Sequence, residues 1–169
     1  MRIRKAKPGD VPAIAKVHVD AWLETYRGIV PDVYLNRLSY ENRERLWEEN
    51  IRKYNISVIE TEEDGVFGFV TWEDGSTCGE YDSELSSLYI LEKYHLRGAG
   101  RLLLSSTFRE VKEKGHKNLV VRVLSENPAR HFYEKMGAEK VKEVTIAMEE
   151  KRLTETIYYW VIDGGDHIE

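Results

Sequence analysis

At 169 residues and 41% hydrophobic content the chain lies within the ~100–200 residues of one ordinary domain, and residues 1–169 read as a single unit without linker, repeat or low-complexity segment. A formal charge of −5, with Lys and Arg scattered among acidic residues, argues against a nucleic-acid partner and suits a small cationic substrate; no apolar run approaches the roughly 18 residues of a membrane span. Cys78 is the only cysteine, which excludes an intramolecular disulfide, and His18, His95, His116, His131 and His167 lack a Cys or His neighbour at zinc-site spacing, so no metal and a cytoplasmic setting are the expectations.

In chain order, Arg2 to Ala6 reads as a short strand, after which Asp10 caps a helix with Pro12 in its first turn. Val11, Ile14, Val17, His18, Ala21 and Trp22 recur at three- and four-residue steps, which makes one buried stripe and places His18 on a helix face, outside the chemistry. Gly28 to Pro31 breaks this helix. A second helix is expected from about Ser39 to Tyr54, with Leu46, Trp47 and Ile51 inward, the two helices forming a lid over a sheet. Strands follow at Ile56 to Thr61 and Val66 to Trp72, joined by a hairpin containing Asp64-Gly65. A third strand runs from about Glu80 to Leu91, and a helix from Arg101 to Lys114 is ended by Gly115. A strand at Leu119 to Leu124, a short helix, and strands at Glu139 to Met148 and Thr154 to Ile162 complete an α/β pattern of about seven strands and about four helices. The terminal strand is long, aromatic and apolar on both faces, so as an edge it would need a cover, either a second subunit in a homodimer or the protein's own helices. Asp163 to His167 reads as a solvated terminus.

Two segments carry chemistry. Tyr94 to Leu104 places a glycine-rich turn directly before an apolar helix, where unpaired N–H groups hold roughly half a positive charge and can dock an anion. Gly98 and Gly100 remove side chains from the approach, and Arg97 and Arg101 add positive charge suited to a ligand with several phosphate oxygens. No Lys-Ser or Lys-Thr follows, against a P-loop, and Leu103 stands where a dinucleotide fingerprint needs its third glycine. Alone, such a turn equally fits a plain tight loop. The second segment runs from Asn127 to Gly137: Asn127 suits an N-cap, Pro128 the first helical position and Gly137 the residue past the end, with Phe132 and Met136 on one face and Tyr133 beside them.

Together these segments resemble the GNAT superfamily of N-acetyltransferases, with the coenzyme motif as His95-Leu96-Arg97-Gly98-Ala99-Gly100 and the later Asn, Phe-Tyr and Gly positions as Asn127, Phe132-Tyr133 and Gly137. Two positions depart from the pattern: His95 replaces the usual Gln or Arg, and Ala138 replaces a frequent aromatic residue. The resemblance implies a single-domain GNAT-like fold with a mixed, mostly antiparallel sheet, acetyl-CoA as coenzyme, and direct acetyl transfer to an amine. It further implies coenzyme contacts from Leu88, Tyr89 and Ile90 on the strand, from His95, Leu96, Arg97, Gly98, Ala99, Gly100 and Arg101 in the turn, and from Asn127, Arg130 and Tyr133.

Acetyl transfer needs a neutral amine, and presenting one near pH 7 costs roughly 4 kcal/mol for an alkylamine of pKa about 10. Glu84 is the candidate base, with plain surface charge as its other reading; Glu80 and Asp82 share its face only if the strand is regular, and the bulge common in this strand of GNAT enzymes would upset that phase. Tyr133 matches the family's general acid for the departing thiolate, and core packing is its alternative. Trp22, Tyr26 and Tyr34, in a segment resembling spermine/spermidine acetyltransferases, are candidates for an alkylamine slot, each ring attracting a cation by about 0.5–2 kcal/mol, or else for pins holding the lid. A small amine or polyamine is the favoured acceptor, a protein or peptide amine the alternative, and a non-catalytic acyl-CoA sensor the competing class.

Overall fold

A computed structural model describes residues 1–162; the Asp163–His167 tail lies outside them. The helices are α1 (Val11–Tyr26), α2 (Asp32–Asn36), α3 (Tyr40–Asn50), α4 (Ala99–Glu113) and α5 (Ala129–Lys135). The strands are β1 (Arg2–Lys5), β2 (Asn55–Thr61), β3 (Gly65–Asp74), β4 (Ser83–Ile90), β5 (Asn118–Leu124), β6 (Glu139–Met148) and β7 (Lys151–Val161). This is a single-domain α/β fold with five α-helices instead of about four, because the break after Tyr26 contains a short helix of its own. The expected second helix stops at Asn50 instead of continuing to Tyr54.

The seven strands form one sheet in the order β1-β2-β3-β4-β5-β7-β6, antiparallel except for the β4–β5 pair. The long terminal strand is therefore internal. Strand β7 pairs with β5 on one side and β6 on the other, so the argument for a homodimer covering an exposed edge lapses. The edge at that end of the sheet is β6, which is largely exposed and carries Glu139, Lys140, Lys142 and Glu143, charges of the kind that blunt edge-to-edge pairing.

One face of the sheet packs on α4 and α5 around Leu103, Leu104, Val111, Tyr133 and Trp160. The other carries α1 and α3, where Val11, Ile14, Ala15 and Val17 meet Trp47, Val58 and Phe69. A third cluster joins Tyr26, Val30 and Leu35 to Leu124 and Leu153. The helical periodicity of Val11 to Trp22 explains the second cluster: His18 is buried on this stripe and accepts a hydrogen bond from Trp47 Nε1 at Nδ1 (3.0 Å), which ties α1 to α3. No helix among the described residues is long and apolar enough to cross a membrane.

Candidate active site

Strand β4 creates the opening. It pairs with β5 at only two positions, Glu84 with Val120 and Leu85 with Val121, while its other edge stays paired with β3 as far as Ile90. Beyond Leu85 the two parallel strands therefore separate, and β4 presents main-chain groups without a partner on β5. A bulge begins the separation: Thr71 faces Ser87 and Trp72 faces Leu85, leaving Ser86 with no opposite residue. The extra residue shifts the phase. Leu85, Leu88 and Ile90 pack toward the α4 core, whereas Tyr89 packs with Phe69 and stacks on His18 (5.2 Å between centroids) beneath α1.

The glycine turn lies at the far end of β4. Gly98 adopts φ +83, left-handed backbone that other residues enter only with strain, and Leu96 is held at φ +60 with its side chain fully in solvent. No side chain caps α4, and the N–H groups of Ala99 and Gly100 have no acceptor among the described residues. Such a helix start, backed by a glycine that keeps side chains away, fits a polyphosphate. At Gly100 a Cβ would lie 3.2 Å from Phe132 Cζ and 3.5 Å from Ile90 Cδ1, so the turn, α5 and the end of β4 meet closely at this residue. Arg97 sits 5.6 Å above the Tyr94 ring. His95 stays exposed, with its Nε2 2.8 Å from the Ile90 carbonyl, a contact that fastens the turn to β4.

On α5, Tyr133 is buried against Trp160 (5.6 Å, edge-on), and burial, with a smaller contribution from Tyr89, pushes its hydroxyl well above the ordinary tyrosine range. Asn127 is fully engaged: Oδ1 accepts from the Ala129 N–H (2.9 Å), the capping role expected, and Nδ2 donates to the Tyr26 hydroxyl (3.0 Å). Arg130 is half-buried on the same helix.

Glu84 stands where β4 and β5 part, and it is buried instead of lying on the surface. Its carboxylate accepts from the Thr77 hydroxyl (2.9 and 3.0 Å), the Thr77 N–H (3.3 Å) and the Cys78 thiol (3.4 Å), with Arg122 Nε at 3.6 Å. Arg122 also donates to the Thr77 hydroxyl. Glu73, directly opposite on β3, is raised above the usual carboxylate range by burial first and then by the charge of Glu84. Thr77, Arg122 and Glu73 were not legible as site residues: each joins Glu84 across a strand or loop, without a local motif. Glu80 and Asp82 do not join it. Glu80 is exposed in the loop, and Asp82 accepts from the Lys117 N–H (2.7 Å).

Of the aromatic trio, Tyr26 is buried among Val30, Leu35 and Leu124 with its hydroxyl bonded to Asn127, which fits the pin reading. Trp22 and Tyr34 are half-buried around it, with Trp22 4.4 Å from Tyr26 and 5.6 Å from Tyr34 between ring centroids.

Comparison with known proteins agrees with this architecture. Residues 74–146, from the end of β3 into β6, match the FR47-like protein family. Over 94% of its length the chain is 36% identical to the uncharacterized N-acetyltransferase YuaI of Bacillus subtilis, of which it covers 91%. The chain belongs to the GNAT family of N-acetyltransferases. Among solved GNAT folds, the YncA structure of Salmonella typhimurium, determined with its cofactor acetyl-CoA, superimposes with a TM-score of 0.74 at 23% identity over 100% of this chain and 98% of that one. A ribosomal-protein-alanine N-acetyltransferase from Brucella melitensis superimposes with a TM-score of 0.75 at 23% identity, over 95% of this chain and 99% of that one. At such identities these two structures speak to the fold of this GNAT member.

Proposed function

We propose that this N-acetyltransferase moves the acetyl group of acetyl-CoA directly to a small primary amine, the polyamines suggested by the helix and loop around Trp22 included. Acetyl-CoA supplies an activated acyl thioester. The observation that carries the reading is the parting of β4 from β5 after Leu85, with the start of α4 and the Tyr133 helix meeting at Ile90 and Gly100. In this reading the N–H groups of Ala99 and Gly100 bind phosphate, aided by the Arg97 charge and flanked by Arg101, while the freed main chain of Leu88, Tyr89 and Ile90 aligns the pantetheine arm and carbonyl. The buried Tyr133 hydroxyl, held protonated, donates to the departing sulfur. Glu84 receives one proton of the ammonium, directly or through water, and the second N–H proton, lost as the tetrahedral adduct collapses, restores the Tyr133 hydroxyl, leaving an N-acetyl amide and a thiol as products. The setting proposed is cytoplasmic.

The test is a thiol-release assay with acetyl-CoA against polyamines, amino acids, aminoglycosides and short peptides, run beside calorimetric CoA binding. Turnover on small amines, lowered about 100-fold or more by Glu84→Gln with CoA affinity unchanged, is the expected result. Turnover restricted to peptides would move the acceptor to the protein class, and CoA binding without turnover on any arm would favour a sensor.

A further inference from the structure

The α1–α3 layer contains a cation with no ion-pair partner among the described residues. Arg43 lies on α3 one turn before Trp47, and so on the helix face that Trp47 uses to donate to His18 on α1. Arg43 is half-buried, its Nε is out of contact with water and without an acceptor, and no carboxylate among the described residues forms an ion pair with it. The other buried side-chain nitrogen left without an acceptor among the described residues is Trp22 Nε1, which reaches toward the Tyr89 hydroxyl but completes no hydrogen bond with it. Trp22 packs on His18 (6.3 Å), His18 stacks on Tyr89, and the charge of Arg43 is felt at both His18 and Tyr89, where it adds to the dominant effect of burial on His18 and opposes it on Tyr89.

Buried donors without partners are destabilising, and a half-buried guanidinium without a carboxylate more so. Elsewhere the protein satisfies such groups: Arg4 is held between Asp10 (2.7 Å) and Glu60 (3.0 Å). Arg43 Nε and Trp22 Nε1 are left as two buried donors without a completed hydrogen bond, on the side of the sheet where Tyr89 of β4 packs beneath α1. A bare polyamine would bring more positive charge to this place and no acceptor oxygens. We infer that Arg43, with Trp22 Nε1 beside it, binds an anionic group of the acceptor, so that the substrate is an amine that also carries a carboxylate or comparable oxyanion, of the amino-acid type. The inference rests on the N-acetyltransferase reading and narrows its substrate class. Guanidinium and indole N–H groups suit two oxygens of one carboxylate, and fixing that end orients the amine relative to the thioester.

Matched pairs differing by one carboxylate test it: ornithine against putrescine and lysine against cadaverine, each in the thiol-release assay and in calorimetric titrations of the CoA-saturated protein. The expected result is a kcat/KM at least about tenfold higher for the carboxylated member of a pair. Arg43→Met should then erase the preference by raising KM with kcat nearly unchanged, and Arg43→Lys should restore part of it, while circular dichroism verifies that both variants fold. A wild-type preference for putrescine and cadaverine, or a carboxylate preference that survives Arg43→Met, would overturn the inference. If no amine turns over, calorimetry separates the two ideas: carboxylate binding weakened by Arg43→Met upholds the anion site while the catalytic reading fails, and no binding by either member rejects both.

Discussion

The side-chain amide of Asn127 donates to the hydroxyl of Tyr26 at 3.0 Å, joining the start of α5 to the end of α1 across 101 residues of sequence. The bond is buried and couples the helix that bears Tyr133 to the end of α1. Tyr26→Phe leaves the Asn127 Nδ2 donor without its partner and is expected to cost about 1–3 kcal/mol. That corresponds to a fall in Tm of a few degrees, since about 1 kcal/mol moves a domain of this size by roughly 2–4 °C. Differential scanning calorimetry measures the shift, and an unchanged Tm would mean that the bond contributes nothing.

Tyr133→Phe is expected to lower kcat about 100-fold or more while CoA affinity changes less than about threefold. Because burial raises the hydroxyl above its ordinary range, this proton remains in place at neutral and moderately alkaline pH. The kcat profile of the wild type should accordingly show no falling limb from Tyr133 below pH ~10. A limb below that pH which disappears in the Phe variant would show a tyrosine ionising much earlier than its surroundings imply.

The two turn glycines should fail differently. Gly98→Ala places a Cβ in open space but in left-handed backbone, a strain of about 1–2 kcal/mol, and crowds the approach of a phosphate. It should weaken CoA binding by about tenfold or more with a modest loss of stability. Gly100→Ala meets Phe132 at 3.2 Å and must displace it, so stability and CoA affinity should fall together. Calorimetric affinity and Tm measured on both variants decide; equal behaviour of the two would contradict the distinction.

Burial foremost, with a smaller effect from Arg43, depresses His18 to about 3 from an unfolded value near 6.5. The unfolded chain therefore binds more protons between those values, so the stabilisation is complete above pH ~6.5 and is lost as pH falls toward 3, at about 1.4 kcal/mol per unit of depression. His18→Asn retains an acceptor for Trp47 Nε1 without a titrating ring. Urea unfolding at pH 7.5 and 5.0 should show a smaller acid penalty for the variant than for the wild type, and equal penalties would show that His18 titrates normally in the folded protein.

The portions of the fold visible in the sequence are those written in local chemistry. Gly98 and Gly100 before an apolar helix, Asn127-Pro128 at a helix start and Asp64-Gly65 in a hairpin each constrain the backbone within a few residues, and the structure has each element there. Strand order is not local. Nothing in Thr156 to Ile162 distinguishes an internal strand from an edge, and the aromatic richness that suggested a second subunit reflects burial between β5 and β6. The surroundings of Glu84 were hidden for the same reason, since Thr77, Arg122 and Glu73 reach it from a loop and two other strands. Arg43 was harder still: within Glu41-Asn42-Arg43-Glu44-Arg45 it looks like any charge on a solvated helix face, and only its phase with Trp47 marks it as inward.

The seam between β4 and β5 has a consequence for how this scaffold could change its substrate. In the proposed reading the thioester would be gripped along that seam by main chain, which every sequence possesses, while the acceptor would be met by the side chains of Trp22, Tyr34 and Arg43 on three separate helices. The grip on the thioester would then depend less on side-chain identity than acceptor recognition does, while the phosphate end still needs Gly98 and Gly100. On that reading, substitutions on α1, α2 and α3 would change the amine accepted before they changed the hold on the acyl carrier.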